Sequence, residues 1–322
     1  MVQNLFDYLM SLRSRWLLAV ALALVLPVPV IAATQASHAA EGTAGSGDKI
    51  IISGAAGHLG ELTVDDLLAR GVPASRLILV SRTPNALARY ARMGASVRYG
   101  DFTKPSSLRQ AFAGGNRMLL ISIGLDSMPR PEAHGNAIAA AVADGVKHIA
   151  YTSWVALSRG DHSGISADHY ATEQILRHSK VAWTMLRNSE YMEELLPQAG
   201  KMFATGRATV ARGNPRVGYV SRADCAAAAA AVLATPGHDD KVYNITGPSL
   251  VGTRDLAAAV SAVTGKAIAL ASDSGPAPAK PGINAAALDV VSDDFMQLTG
   301  KPPMTLKSFL QQHEVEIRHP NR

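Results

Sequence analysis

From Lys49 onward, short apolar runs alternate with longer amphipathic or alanine-rich stretches, and this alternation most constrains the fold. Ile50, Ile51 and Ile52 form a β-branched run that stops at Ser53-Gly54. A run that is apolar at every position suits a strand buried on both faces, in a parallel sheet covered by helices. Further apolar runs follow at 77–80, 95–99, 118–123 and 148–152, separated by helical stretches at 59–69, 85–93, 105–112 and 132–143. Strands spaced by helices in this way are βαβ units, whose crossovers are right-handed. The expected fold is α/β: a doubly wound parallel sheet of Rossmann type.

The pattern continues more loosely. Residues 167–178 and most of 189–202 read as helix, 182–186 and 242–245 as strands, and 268–270 as a short strand. Ser221 can cap the alanine-rich helix that ends near Thr235, with Asp224 three residues on, as in a capping box. A helix is expected over 253–264 and another over 306–313, while Pro276, Pro278 and Pro281 make 275–281 a loop. Residues 49–188 are taken as the nucleotide-binding sheet domain and 189–322 as a small α/β substrate-binding region.

The first forty residues stand apart. Arg13 and Arg15 precede an uncharged apolar run over 16–33, broken by Pro27 and Pro29 and followed by Ala36, Ala39 and Ala40. A basic start, an apolar middle and a small-residue exit make 1–40 a secretory signal, or a membrane anchor if uncut. Residues 41–48 are rich in Gly, Ser and Ala and read as a linker. Export to the periplasm or anchoring follows, with a cytoplasmic chain carrying a misassigned start as the alternative.

Composition narrows the function classes. One cysteine, Cys225, excludes an internal disulfide and a multi-cysteine metal cluster. The net charge of +5 is spread without a long basic run and aromatics make up 5%, which argues against nucleic acid as partner. The ten histidines show no paired ligand spacing, so no metal is expected.

The chemical signal lies at the end of the first strand. Gly54-Ala55-Ala56-Gly57-His58-Leu59-Gly60 follows a strand and opens a helix. In this spacing Gly54 allows a tight turn, Gly57 lets backbone approach a pyrophosphate, and Gly60 lets helix pack closely on strand. The helix N-terminus offers amides and partial positive charge to the phosphates. The second strand ends Val80-Ser81-Arg82, without the carboxylate that would bind the ribose of NAD. A guanidinium there can pair a 2′-phosphate with forked hydrogen bonds, so NADP(H) is the expected cofactor. Asp101 and Phe102, after the third strand, are candidates for the adenine, and Ser122, after the fourth, for the nicotinamide half.

Several ordered segments together resemble the NmrA-like atypical short-chain dehydrogenase/reductase family. They are Ile50 to Gly60, Val72-Pro73-Ala74-Ser75, Val80-Ser81-Arg82-Thr83-Pro84, Leu119-Leu120-Ile121-Ser122, Gly145 to Ser153, Leu186-Arg187-Asn188, Ser221-Arg222-Ala223-Asp224 and Lys241-Val242-Tyr243. The likeness spans roughly 49–265 and is strongest to the family's type-2 NAD(P)H:quinone oxidoreductase branch, with triphenylmethane reductases nearby. It implies a flavin-free, NADPH-dependent reductase of quinones or similar conjugated acceptors. It also implies that 188–193 faces the nicotinamide and acceptor, with Asn188 and Tyr191 the polar contacts.

Standard short-chain dehydrogenases combine Ser, Tyr and Lys, the last two four apart on a helix. Here Ser153 ends the fifth strand and Tyr170 lies on the next helix, but four residues on stands Gln174. No lysine is placed to make the phenol a base. Ser153, Tyr170 and His169 are the catalytic candidates, and His169 and Glu173 share one helix face. A quinone takes hydride as a delocalised anion and needs no strong acid, so the missing lysine favours such acceptors over ordinary ketones. An NADP(H)-binding redox sensor without turnover is the alternative. An epimerase or dehydratase would need the Tyr/Lys relay. Trp154, Trp183, Met185 and Met192 are read as packing residues, and Cys225 as a small buried one.

Overall fold

A computed structural model describes residues 47–124, 128–272 and 283–320. The leader at 1–40, linker residues 41–46 and the proline-rich 275–281 loop lie outside the described residues. The first half alternates strand and helix: β1 (Ile50–Ser53), α1 (His58–Ala69), β2 (Leu77–Ser81), α2 (Ala88–Arg92) and β3 (Ser96–Tyr99). It continues with α3 (Leu108–Phe112), β4 (Arg117–Leu120), α4 (Arg130–Ala143), β5 (His148–Trp154), α5 (Ile165–His178) and β6 (Ala182–Asn188). The remaining elements are α6 (Leu196–Thr205), β7 (Arg207–Val210), α7 (Arg222–Ala234), β8 (Lys241–Ile245) and α8 (Thr253–Thr264). The chain ends with β9 (Ala269–Ser272), α9 (Asp294–Thr299), α10 (Leu306–Gln312) and α11 (Glu314–Arg318).

Seven parallel strands form the main sheet in the order β3-β2-β1-β4-β5-β6-β8, the doubly wound arrangement expected from the sequence. Side chains alternate across each strand. Ile50 and Ile52 of β1 and Leu77 and Leu79 of β2 join Leu59, Val64 and Leu67 of α1 and the alanines of α7 on one face. Ile51, Ile78 and Val80 point the other way, onto Phe112 of α3, Ala137 and Ala141 of α4 and Leu176 of α5. Both faces are dry, which is why these strands read as unbroken apolar runs rather than alternating ones.

Beyond residue 188 the chain both leaves the sheet and returns to it. Helix α7 packs against α1, and β8 pairs with β6 as the seventh strand. Between and after them α6, α8, α10 and α11 close around a satellite core that includes Met202, Leu256, Val260, Phe309 and Ile317. A two-stranded parallel pair, β7 with β9, borders it. Strand β7 has no counterpart in the sequence reading.

Ser221 caps α7, its hydroxyl accepting from the Asp224 amide at 3.0 Å. The reciprocal half of the expected box is not made. Asp224 instead accepts from the Met304 amide at 2.9 Å, tying α7 to the segment that enters α10.

A close backbone approach lies at the start of α1. Gly54 sits at φ +68°, and a Cβ at Gly60 would stand 2.4 Å from the Gly54 carbonyl oxygen and 2.7 Å from the Ala55 Cα. These partners are backbone and cannot step aside, so only glycine lets α1 approach β1 this closely. Gly60→Ala is expected to cost about 1–3 kcal/mol of stability, as overpacking does. A thermal or urea melt equal to that of the unaltered chain would contradict this.

Candidate functional site

Parallel strands all end on one side, and a ligand crevice forms where the strand order reverses. In this sheet the reversal lies between β1 and β4. Ser53 pins the two ends there: its hydroxyl donates to the Leu119 carbonyl at 2.8 Å and accepts from the Ile121 amide at 3.1 Å. Two adjoining cavities open above this junction, of about 370 and 760 Å³, sharing Gly54, Gly57 and residues 121–124 as walls.

The smaller cavity gathers Gly54, Ala56, Gly57, Arg82, Asp101, Phe102 and Ser122 from four strand ends. The larger one takes in Gly54, Gly57, His58, Leu59, Gly60 and Ser122, and with them Ser153, His169, Asn188 and Tyr191. Every cofactor position expected from the sequence lines one cavity or the other except Ala55, which is fully buried behind the turn. Its amide donates to the Val80 carbonyl at 3.0 Å.

The N-terminus of α1 opens on Gly57 with no side-chain cap. The first amides of an α-helix have no partner within the helix, and together with the helix dipole they suit an anion. Arg82 faces the same cavity as Asp101, and its charge bears on that carboxylate. Burial works to raise the Asp101 pKa. The hydroxyl and amide of Thr103 and the charges of Lys104 and Arg82 outweigh it and hold the carboxyl below its usual range.

A column of rings floors the crevice. Phe102 meets His134 edge-on, His134 meets Tyr151, and Tyr151 leans on His169, which stacks on Trp154 at 6.2 Å. The hydrogen bonds fix the His134 tautomer. The Thr172 hydroxyl donates to the Asp168 carbonyl, so His134 Nδ1–H donates to Thr172 at 3.0 Å. His134 Nε2 then accepts the Ile123 amide at 3.2 Å. His169 Nδ1 lies 2.8 Å from the Tyr151 hydroxyl. Burial raises the Tyr151 pKa and lowers that of His169, so a neutral phenol and a neutral imidazole share this bond.

Helix α5 turns His169 and Glu173 inward, one position round from Tyr170 and Gln174. Glu173 is buried, takes two bonds from the Arg187 guanidinium at 2.9 and 2.7 Å, and accepts the Ser153 hydroxyl at 2.7 Å. Ser153 is therefore held by a charged acceptor. His169 and Glu173 share the inward helix face, as the sequence spacing implies, and take separate partners there. Tyr170, a catalytic candidate from the sequence, lies outside both cavities, exposed and stacked on His162 with ring centroids 4.0 Å apart. The one-residue offset, about 100° on a helix, accounts for it.

Asn188 ends β6 at the larger cavity and Ser189 follows it. Asn188 Oδ1 and Ser189 Oγ are buried there without a hydrogen-bond partner. Buried polar atoms left unpaired beside a cavity are what a bound ligand's polar groups would satisfy. Tyr191 lies under the Arg222 guanidinium, 4.9 Å from the ring centroid. Burial raises its pKa, and so keeps the phenol neutral. Glu194 pairs with Arg222 at 3.0 Å on the same wall.

Sequence reasoning missed Arg130, Trp154 and Arg222, all of which line the larger cavity, whereas Glu190 lies there within the expected 188–193 segment. Arg130 is buried, donating to the Ile123 carbonyl at 2.9 Å and to Asp168 at 3.1 Å. Trp154 had been read as packing; at the end of β5 it forms a cavity wall. Trp183, by contrast, lies under Arg177 outside both cavities. Met185, Met192 and Cys225 are buried in the core as expected, with the Cys225 thiol pushed up by burial and thus protonated.

Comparison with known proteins adds an independent line. The chain matches the NAD(P)H-binding family over residues 54–236. Over 221 residues it is 37% identical to quinone oxidoreductase 2 of Escherichia coli, covering 68% of this chain and 76% of the relative. The Escherichia coli NADPH-dependent quinone oxidoreductase, solved with NADPH, superposes with a TM-score of 0.72 at 31% identity, over 82% of this chain and 99% of that one. A Citrobacter triphenylmethane reductase complexed with NADP(H) matches with the same TM-score at 30% identity, again over 82% and 99%.

Three buried histidines give the fold a pH dependence. Burial, aided by Arg130, lowers His134 and His169 to about 3, and burial with Arg117 does the same for His148. The unfolded chain protonates these rings below about 6.5, the folded chain only near 3. The unfolded state thus holds more protons in that window, and stability falls as pH drops through it. Each ring contributes up to about 1.4 kcal/mol per pH unit. A denaturant midpoint that stays level from pH 6.5 to 4.5 would contradict this.

Proposed function

The chain belongs to the NAD(P)H-binding family, and from that premise we propose that it is an NADPH-dependent, flavin-free reductase of quinones or similar conjugated acceptors. The observation that carries the reading is the junction of the uncapped α1 N-terminus with a cavity holding unpaired polar atoms at Asn188 and Ser189. The named relatives are reductases, so a sensor without turnover is not favoured.

The glycine turn fits the coenzyme. Residues 54–60 would hold the pyrophosphate, Arg82 the 2′-phosphate, Asp101 and Phe102 the adenine side, and Ser122 the nicotinamide half. When bound, NADPH supplies the hydride, which with one proton converts a quinone to its hydroquinone and leaves NADP⁺. The chain's own work is placement. Asn188 and Tyr191 offer polar contacts to the acceptor, Trp154 offers a flat apolar wall, and His169 offers the edge of a neutral imidazole. Ser153, with Glu173 and Arg187, holds β5 and α5 in register at the cavity floor. The neutral Tyr151–His169 pair donates a hydrogen bond without acting as a strong acid, which is enough where the product anion is delocalised. Holding acceptor and coenzyme in contact then supplies most of the acceleration.

The direct test follows NADPH consumption with a benzoquinone and repeats it for Arg82→Asp. Removing forked, charge-assisted bonds is expected to weaken NADPH about 10- to 100-fold while NADH changes little. Equal losses for both coenzymes would contradict the 2′-phosphate assignment, and absence of turnover across an acceptor panel would contradict the reductase.

The sequence of residues 1–40 supports a further proposal, that the chain is exported or membrane-anchored. Fractionation of cells making the full chain is expected to place it outside the soluble cytoplasm. A full-length cytoplasmic protein would contradict that.

A further inference from the structure

Beside the larger cavity lies a second, apolar chamber of about 370 Å³. Its walls include Leu195, Val217, Val251, Leu256 and Leu288, each less than a tenth exposed. The chamber and the acceptor cavity meet at Glu190 and Ile283, which line both. We propose that this chamber is a subsite for an apolar tail on the acceptor, so that the physiological substrate is a quinone-like ring bearing an alkyl or isoprenoid-like chain. This rests on the reductase reading and extends it from ring chemistry to the whole substrate.

The chamber is braced by backbone rather than left by loose side chains. Val217 and Val251 exchange amide-to-carbonyl hydrogen bonds at 3.0 and 2.8 Å, and the Gly218 amide donates to the Leu288 carbonyl at 3.1 Å. A Cβ at Gly218 would lie 2.0 Å from the Val290 carbonyl oxygen, so glycine there lets the 288–290 segment close directly over the wall. Of its polar lining residues, Glu190 faces the acceptor cavity as well, while Gln198, Tyr219 and Thr253 line the chamber alone. Glu190 stands at the shared boundary, and the Tyr219 phenol beside it is pushed up to about 12 by burial and by the charges of Glu190 and Glu194. A substrate with a polar ring and an apolar tail would set the ring in the acceptor cavity and the tail against the five buried aliphatic walls.

The physical drive is ordinary. Water inside an aliphatic wall finds few partners, so an apolar chain that displaces it gains affinity. Each buried methylene is worth about a fourfold change in affinity.

The test uses the full chain, saturating NADPH and a series of 1,4-benzoquinones with n-alkyl substituents from methyl to hexyl. KM is expected to fall about three- to fourfold per carbon over the first carbons, with kcat nearly constant, and then to level off once the chamber is full. Ala285→Trp, an exposed position on the chamber rim, and Leu256→Phe, in its wall, each fill part of the space. Either folded variant is expected to flatten the chain-length slope. A slope unchanged in the filled variants would show simple partitioning and overturn the proposal. A flat series in the unaltered chain, with the methyl quinone still reduced, would overturn the chamber and leave the reductase standing. No turnover with any member would overturn the reductase reading, and the subsite with it.

Discussion

The seat of helix α1 against the carboxyl end of β1 is the contact on which the site depends. Gly60 has no side chain, so the helix can rest almost on the Gly54 carbonyl and the Ala55 backbone. That seating aims the uncapped amides of α1 across the gap where β1 and β4 diverge. A bulkier residue would lift the helix and spoil its amides as a ligand for phosphate. Arg82 and Asp101 arrive at the same crevice because β2 and β3 lie next in the sheet. Their strand ends are set by the register of the sheet.

The other half of the crevice rests on a neutral floor. A column of Phe102, His134, Tyr151, His169 and Trp154 runs beneath both cavities, and burial keeps its imidazoles and phenol uncharged. The charged groups around it include three closed pairs, Glu173 with Arg187, Arg130 with Asp168 and Glu194 with Arg222, together with Glu190 on the wall of the larger cavity. A neutral, aromatic, sparsely donating surface suits an acceptor that delocalises its own negative charge. It would serve poorly for a reaction that needs a strong base.

The sheet was legible in the sequence because parallel strands buried on both faces leave unbroken apolar runs, as Ile50, Ile51 and Ile52 do. The glycine turn was legible because its chemistry depends on backbone, and glycine is the trace that backbone requirements leave. Strand β7 was not legible: it has four residues, only Ala208 and Val210 are buried, and its partner β9 lies some sixty residues on. Arg130, Trp154 and Arg222 come from three separate elements, and no local spacing brings them together. Tyr170 drew attention by residue type, yet a helix carries neighbouring residues to different faces, and His169 took the inward one. The Ser221 cap was legible, but the use Asp224 makes of Met304 depends on a segment eighty residues away.

The most direct test of the account is the crystal structure of the full chain with NADPH. The account predicts the pyrophosphate against the amides that open α1, the 2′-phosphate at Arg82, and the nicotinamide beside Asn188. A coenzyme bound elsewhere, or a crevice that stays empty at saturating NADPH, would contradict it.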